Sequence, residues 1–315
     1  MRVTSVITAA PIALFVYNRL GHACRLIESL RRNVLSRESE LFIFSDAPTS
    51  AADVESVGLV RHYIRKIDGF KSVALVEREQ HYGLARSIID GVTAVTQRHG
   101  RIIVLEDDLI VTPHFLEFMN HALESYADEQ PVIQISGYMF PVTVEIEEDA
   151  LFFPLTTSWG WATWQRAWDW FDRDATGYAR VKSDQALRRR FNLDGAYDYF
   201  SMLEDQLAGR VDSWAVRWQL VAFLRGALTL YPRYSLTVNA GFDGSGTHGA
   251  ATGLLAQSGA REGFCPRRLP RCVETSPAWE TVLAHLGRRH SLMDRAKSTL
   301  RAGARRMTGR GRTAS

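Results

Sequence analysis

The chain has 315 residues, 46% of them hydrophobic and 23% charged, with a formal net charge of +3. That length and apolar share support one large core or two smaller ones, and they exclude a disordered or fibrous chain. No apolar run reaches the roughly 20 residues of a membrane span, and residues 1–17 lack the basic start, apolar middle and cleavage site of a secretory signal, so a soluble, cytoplasmic protein is expected.

Ile12–Tyr17 is the first apolar run of strand type, after which Cys24, Ile27, Leu30 and Val34 fall on one helical face. Leu41–Phe44 is a second strand, closed by Ser45-Asp46-Ala47-Pro48. Val57, Val60, Ile64 and Ile67 mark the next helix and Ser72–Val76 a third strand. Leu84, Ile88, Val92 and Val95 continue the alternation up to a strand at 102–105. Strands alternating with helices predict an α/β fold with a largely parallel sheet. No G-x-G-x-x-G or G-x-x-x-x-G-K-[ST] opens any of these helices, which argues against a dinucleotide-type Rossmann enzyme and against a P-loop ATPase. Phosphate must then be held by metal and side chains.

Arg101–Leu109 reads R-I-I-V-L-E-D-D-L, a buried-type strand running into Glu106, Asp107 and Asp108. Open α/β sheets bind ligands at the carboxyl ends of their strands, and clustered carboxylate oxygens there suit a hard divalent cation bridging phosphates. A charged strand-to-helix turn is the other reading. Glu147-Glu148-Asp149 is a second acidic triplet, but no comparable strand precedes it. Thr112 and Pro113 are placed as N-cap and first residue of a helix carrying Phe115, Leu116, Phe118, Met119, Ala122, Leu123 and Tyr126 at helical spacing.

Beyond a fifth strand at Pro131–Ser136, Leu151–Pro154 leads into a region where Trp159, Trp161, Trp164, Trp168 and Trp170 fall within twelve residues. Each indole either packs the core or offers a flat face for a sugar ring. Helices are expected near 182–192, 196–208 and 213–225, then a strand at Leu228–Tyr231. The glycine-rich stretch that runs from Asn239 through Asp243 and Ser245 to His248 reads as a ligand-closing loop or an ordinary surface loop.

Cys24, Cys265 and Cys272 are an odd count without metal-ligand grouping; Cys265 and Cys272 bracket a short Pro/Arg segment that would let them pair, but free thiols are expected. From Arg288 onward nine Lys/Arg face Asp294 alone, a local charge of +8. This tail reads either as a peripheral contact to anionic lipid, with Leu286, Met293, Leu300 and Met307 as a thin apolar stripe, or as a solvated basic terminus. Nucleic-acid binding is not expected, because the aromatic residues that could stack on bases lie in the body.

Pro11–Arg19 (P-I-A-L-F-V-Y-N-R), Phe44-Ser45-Asp46, His81-Tyr82, Val104–Pro113 (V-L-E-D-D-L-I-V-T-P), Gly160-Trp161, Trp214 and the stretch from Pro232 to His248 occur in one order. In that order they resemble the GT-A glycosyltransferases, and within them the N-acetylglucosaminyltransferase I family and related bacterial sugar transferases, over roughly residues 10–250. The resemblance implies a nucleotide-sugar donor half over 1–136, an acceptor-binding and catalytic half over 137–260, and a C-terminal extension with a basic tail over 261–315. Asp108 would bind Mn²⁺ (or Mg²⁺), Asp107 and Glu106 would face ribose and donor sugar, Asp46 and His81 would hold the base, and Arg19 would meet the diphosphate. Trp161 and Trp214, with Asp243, Ser245 and His248 in the glycine loop, are the acceptor-side candidates.

The implied reaction is inverting transfer of a hexosyl or N-acetylhexosaminyl group, UDP being the expected carrier, to a glycan or lipid-linked glycan in surface polysaccharide or glycolipid synthesis. It needs a carboxylate to take the acceptor proton. Where the family carries W-D-D-W, this chain has Trp214-Ala215-Val216, and neither Ala215 nor Val216 can accept a proton. Asp212 is the nearest substitute, with a helix N-cap as its alternative role. Asp205 and Asp243 are further off. A sugar nucleotidyltransferase and a catalytically silent glycan-binding or scaffold protein are the rival functions.

Overall fold

The computed structural model describes residues 9–241, 260, 261 and 263–288. Strand β1 (Ile12–Val16) is buried at all five positions, as befits a parallel strand covered on both faces. It pairs in parallel with β2 (Glu40–Ser45) on one side and β4 (Arg101–Glu106) on the other, and β3 (Ser72–Glu77) adds parallel to β2. Helices α1 (Leu20–Arg31), α2 (Val54–Ile64) and α3 (Leu84–His99) connect these strands. In α1 the residues at helical spacing, Ala23, Leu26, Ile27 and Leu30, are all at zero exposure. Each leucine or isoleucine contributes about 1.5–3 kcal/mol by burial. Helix α3 stops at Gly100, whose φ of 74° is the left-handed cap that glycine accommodates without cost to a side chain.

The sheet continues without a break into the second half, so the expected boundary at residue 136 falls inside one eight-stranded sheet of order β3-β2-β1-β4-β8-β6-β9-β7. Strand β8 (Trp161–Trp164) inserts antiparallel between β4 and β6 (Val132–Ser136). Strand β9 (Leu228–Pro232) runs parallel to β6, and β7 (Ala150–Phe153) closes the edge antiparallel to β9. Helices α5 (Gln165–Trp168), α6 (Tyr178–Ser183), α7 (Gln185–Phe191), α8 (Tyr199–Leu207) and α9 (Ala215–Arg225) fill the intervening chain.

Two short strands depart from expectation. Leu109–Val111 (β5) pairs antiparallel with Thr237–Asn239 (β10). The Thr112 N–H donates to the Leu236 carbonyl at 2.9 Å and keeps the chain extended, so helix α4 (Phe115–Ser125) starts two residues after Pro113, with His114 as its N-cap. Residues 263–288 return to the main body. Phe264, Leu269 and Val273 pack on the central core, and the helical stretch 279–288 inserts Val282 beside Phe153 and Tyr231. The three cysteines are free thiols. No helix among the described residues is long and apolar enough to cross a membrane. The basic tail after Arg288 lies outside them.

Candidate active site

The register sets the ends of three strands abreast: Val16 lies opposite Ser45, and Phe15 opposite Glu106. Whatever follows these residues therefore shares one crevice at the carboxyl edge of the sheet, where open α/β folds place ligands. Arg19 follows β1, Asp46 follows β2, and Asp107 and Asp108 follow β4.

Asp107 is anchored through its backbone, its N–H donating to the Phe15 carbonyl at 3.1 Å, and is only 5% exposed. Its carboxylate accepts from Arg19 Nη2 and from the Tyr17 N–H at 3.4 Å. The same Arg19 nitrogen lies 3.5 Å from Asp108 Oδ2. Glu106 is hydrogen-bonded by the Trp214 side chain, and burial together with Asp108 and Asp107 pushes its carboxyl up to about 8. Burial also raises Asp107, against the opposing pull of Arg19. Three carboxyl groups with one guanidinium between them form a site short of positive charge, and their hard oxygen donors suit Mn²⁺ or Mg²⁺. The group therefore fits a divalent cation, with Asp108 as the most accessible Asp of the pair at 21% side-chain exposure against 6% for Asp107.

The backbone at 239–241 closes on this carboxylate. Ala240 N–H donates to the Asp108 carbonyl at 2.6 Å, and a β-carbon placed on Gly241 would lie 2.7 Å from Asp108 Oδ2. The pairing of β10 with β5 brings this segment there, a proximity that no local sequence pattern carries. Asp243, Ser245 and His248 lie beyond Gly241, outside the described residues.

Asp46 acts first as a clamp. Its carboxylate accepts from the N–H groups of Ala47, Tyr82 and Gly83, each at 2.9 Å, so the loop before α3 is held to the end of β2. His81 Nδ1 lies 2.8 Å from the Ala47 carbonyl and 3.0 Å from Asp46 Oδ2. A carbonyl only accepts, so Nδ1 carries the proton and Nε2 of the neutral ring is left as an acceptor. The Tyr17 ring stands 5.5 Å from the His81 ring, and its hydroxyl is 2.6 Å from Thr49 Oγ1, which in turn donates to Asp53. Tyr17, Thr49 and Asp53 were not singled out from the sequence; the turn residues Asp46-Ala47-Pro48-Thr49-Ser50 were the available signal.

Asp212 does not cap its own helix, because α9 has Trp214 as its N-cap. It caps α3 instead: Oδ2 accepts from the Ala85 N–H at 3.0 Å. It also touches the clamped loop, since a β-carbon on Gly83 would lie 2.7 Å from Asp212 Oδ2. Asp46, Gly83 and Asp212 are thus contiguous along one wall of the crevice. Asp205 is paired at 2.6 Å with Arg210 in α8 and the turn that follows it.

The tryptophans correct an expectation. Trp161 and Trp214 are 0% and 2% exposed and stack on each other with ring centres 4.8 Å apart, so neither offers an open face to a sugar. With Trp168 and Trp218 they form the core between the sheet and helices α3 and α9. Their density reflects the packing demand of a site where β8 and two helices meet. Trp214 still reaches the crevice through its hydrogen bond to Glu106.

No protein-family model matches the chain, and no curated protein matches it. Among solved structures the chain is similar to the mannosyltransferase PcManGT from Pyrobaculum calidifontis in complex with GDP-Man and Mn²⁺, with 14% identity over 69% of this chain and 73% of that one and a TM-score of 0.41. It is also similar to S. aureus TarS, with 12% identity over 45% of this chain and 23% of that one and a TM-score of 0.30. Both overlaps are partial.

Proposed function

We propose that the protein is a GT-A-type, metal-dependent glycosyltransferase that moves a sugar from a nucleotide-sugar donor to a hydroxyl of a glycan acceptor. The observation that carries this reading is the convergence of Glu106, Asp107, Asp108, Arg19 and the His81 loop at one strand-end crevice. Asp108 would hold a divalent ion, which when bound would supply electrophilic stabilisation to the departing nucleoside diphosphate. Arg19, now shared by Asp107 and Asp108, turns its guanidinium to the diphosphate as negative charge grows there, so its stabilisation is greatest in the transition state. Tyr17 and His81 form the wall for the base, with His81 Nε2 free to accept from it. Asp212, oriented by the Ala85 N–H, takes the acceptor proton in an inverting displacement.

UDP is the carrier we favour, on the resemblance of the sequence motifs to the N-acetylglucosaminyltransferase I family. The basic stretch after Arg288 suits contact with anionic lipid, and we place the enzyme at the cytoplasmic membrane face, acting on a lipid-linked glycan precursor. The test is release of nucleoside diphosphate from UDP- and GDP-sugars, with Mn²⁺ and without added acceptor. Slow release by the wild type, lost in Asp108→Ala while the unfolding transition is unchanged, supports the assignment. Release by neither protein from any donor favours a silent glycan-binding protein.

A further inference from the structure

Away from the crevice, His114 caps helix α4 and Glu117 stands one turn on, so the two side chains share a face. Cys265 arrives at the same place 148 residues after Glu117. His114 Nδ1 is 3.0 Å from Glu117 Oε2, and Cys265 Sγ is 3.4 Å from that same oxygen. Among the described residues this is the one group of three His, Cys, Asp or Glu side chains whose ligand atoms lie within 4.8 Å of one another. A tetrahedral zinc ion with bonds of about 2.0–2.3 Å separates its ligand atoms by about 3.3–3.7 Å, a range that includes the 3.4 Å between Cys265 and Glu117 and lies inside the 4.8 Å that encloses all three ligand atoms.

We propose that His114, Glu117 and Cys265 bind a divalent transition metal of the zinc class, which ties the C-terminal segment to helix α4. The donor set sets the class. Thiolate and imidazole favour zinc or cobalt over magnesium, calcium or manganese, whereas the oxygens around Asp108 have the opposite preference. Charge is balanced as well, because one thiolate and one carboxylate neutralise the ion. Arg267 lies beside the Cys265 thiol.

On binding, the metal replaces both hydrogen bonds to Glu117: the Cys265 thiol proton leaves to solvent, and the His114 proton moves by exchange with solvent from Nδ1 to Nε2, which presents Nδ1 to the metal. Three protein ligands leave the fourth position to water. The mechanical effect follows from the chain path. Tyr126, just past the other end of α4, already holds the Pro270 carbonyl at 2.6 Å, so the metal fixes the returning segment at a second point on the same helix.

The test is titration of the reduced, untagged full chain with Co²⁺, in an Asp108→Ala background that removes the oxygen site. One equivalent should produce a sulfur-to-cobalt charge-transfer band together with the visible bands of tetrahedral cobalt, and Zn²⁺ should bleach both. Cys265→Ser should abolish the charge-transfer band, whereas Cys24→Ser and Cys272→Ser should retain it. His114→Ala, which keeps the thiol, should weaken competition by Zn²⁺ about tenfold or more. No charge-transfer band in excess Co²⁺, or a band that survives Cys265→Ser, would overturn the proposal and leave a hydrogen-bonded trio.

Discussion

Replacing Asp46 by alanine takes one carboxylate away from three backbone N–H groups, two of which, Tyr82 and Gly83, lie 36 and 37 residues along the chain. Asp46 is 8% exposed, so water replaces the lost acceptor poorly. A buried donor left without a partner costs about 1–3 kcal/mol, and because the two long-range donors are only part-buried, Asp46→Ala should cost about 2 kcal/mol, the low end of their sum. That is a large part of a domain stability of about 5–15 kcal/mol. Asp46→Asn keeps one acceptor oxygen and should lose about half as much. Urea unfolding measures both: the midpoint should fall while the slope stays constant. Nucleotide binding should weaken in parallel, because His81 and Tyr82 are positioned through this carboxylate. An Asp46→Ala protein within about 0.5 kcal/mol of the wild type, the range of an ordinary surface change, would refute the clamp.

Gly83→Ala tests the contact between the clamped loop and Asp212. Its φ of 76° and ψ of 168° fall in a region essentially restricted to glycine, which costs a side chain about 1–3 kcal/mol, and the β-carbon meets Asp212 Oδ2. Denaturant unfolding should show at least that loss, and a double-mutant cycle with Asp212→Ala should show positive coupling. Trp161→Ala should cost about 3–5 kcal/mol, as deletion of a fully buried aromatic does, and should expose the neighbouring Trp214 to fluorescence quenching; a stable protein with altered acceptor affinity would return Trp161 to the binding surface. Asp212→Asn should retain donor binding and lose transfer, measured by nucleotide calorimetry beside a transfer assay.

The first half of the sheet was legible because each strand is a short apolar run and each helix repeats its apolar residues at 3.6-residue spacing, a pattern that local chemistry imposes. Crevice residues were legible for the same reason: the ends of parallel strands fall together once the alternation is recognised. Strand β8 was not, because its four residues W-A-T-W are interrupted by Thr163 and are too few to read as an apolar run, and its two tryptophans suggested a sugar platform. Val34 continued a helical face on paper, yet α1 ends at Arg31 and Val34 is 62% exposed. Asp212 was recognised as a capping residue, but the helix it caps lies 127 residues away. The thiol at Cys265 showed no ligand spacing in the sequence because its partners, His114 and Glu117, arrive by tertiary folding. For Asp212 and Cys265 the missing information was a long-range contact, which periodicity does not encode.

The proposed activity stands or falls with a metal-dependent nucleotide site at Asp108. Calorimetric titration of UDP, and of other nucleoside diphosphates, into the wild type and Asp108→Ala with and without Mn²⁺ tests it most directly. Binding should require the metal and be lost in the variant. Absence of binding for every nucleotide, or metal-independent binding that Asp108→Ala leaves unchanged, would contradict it.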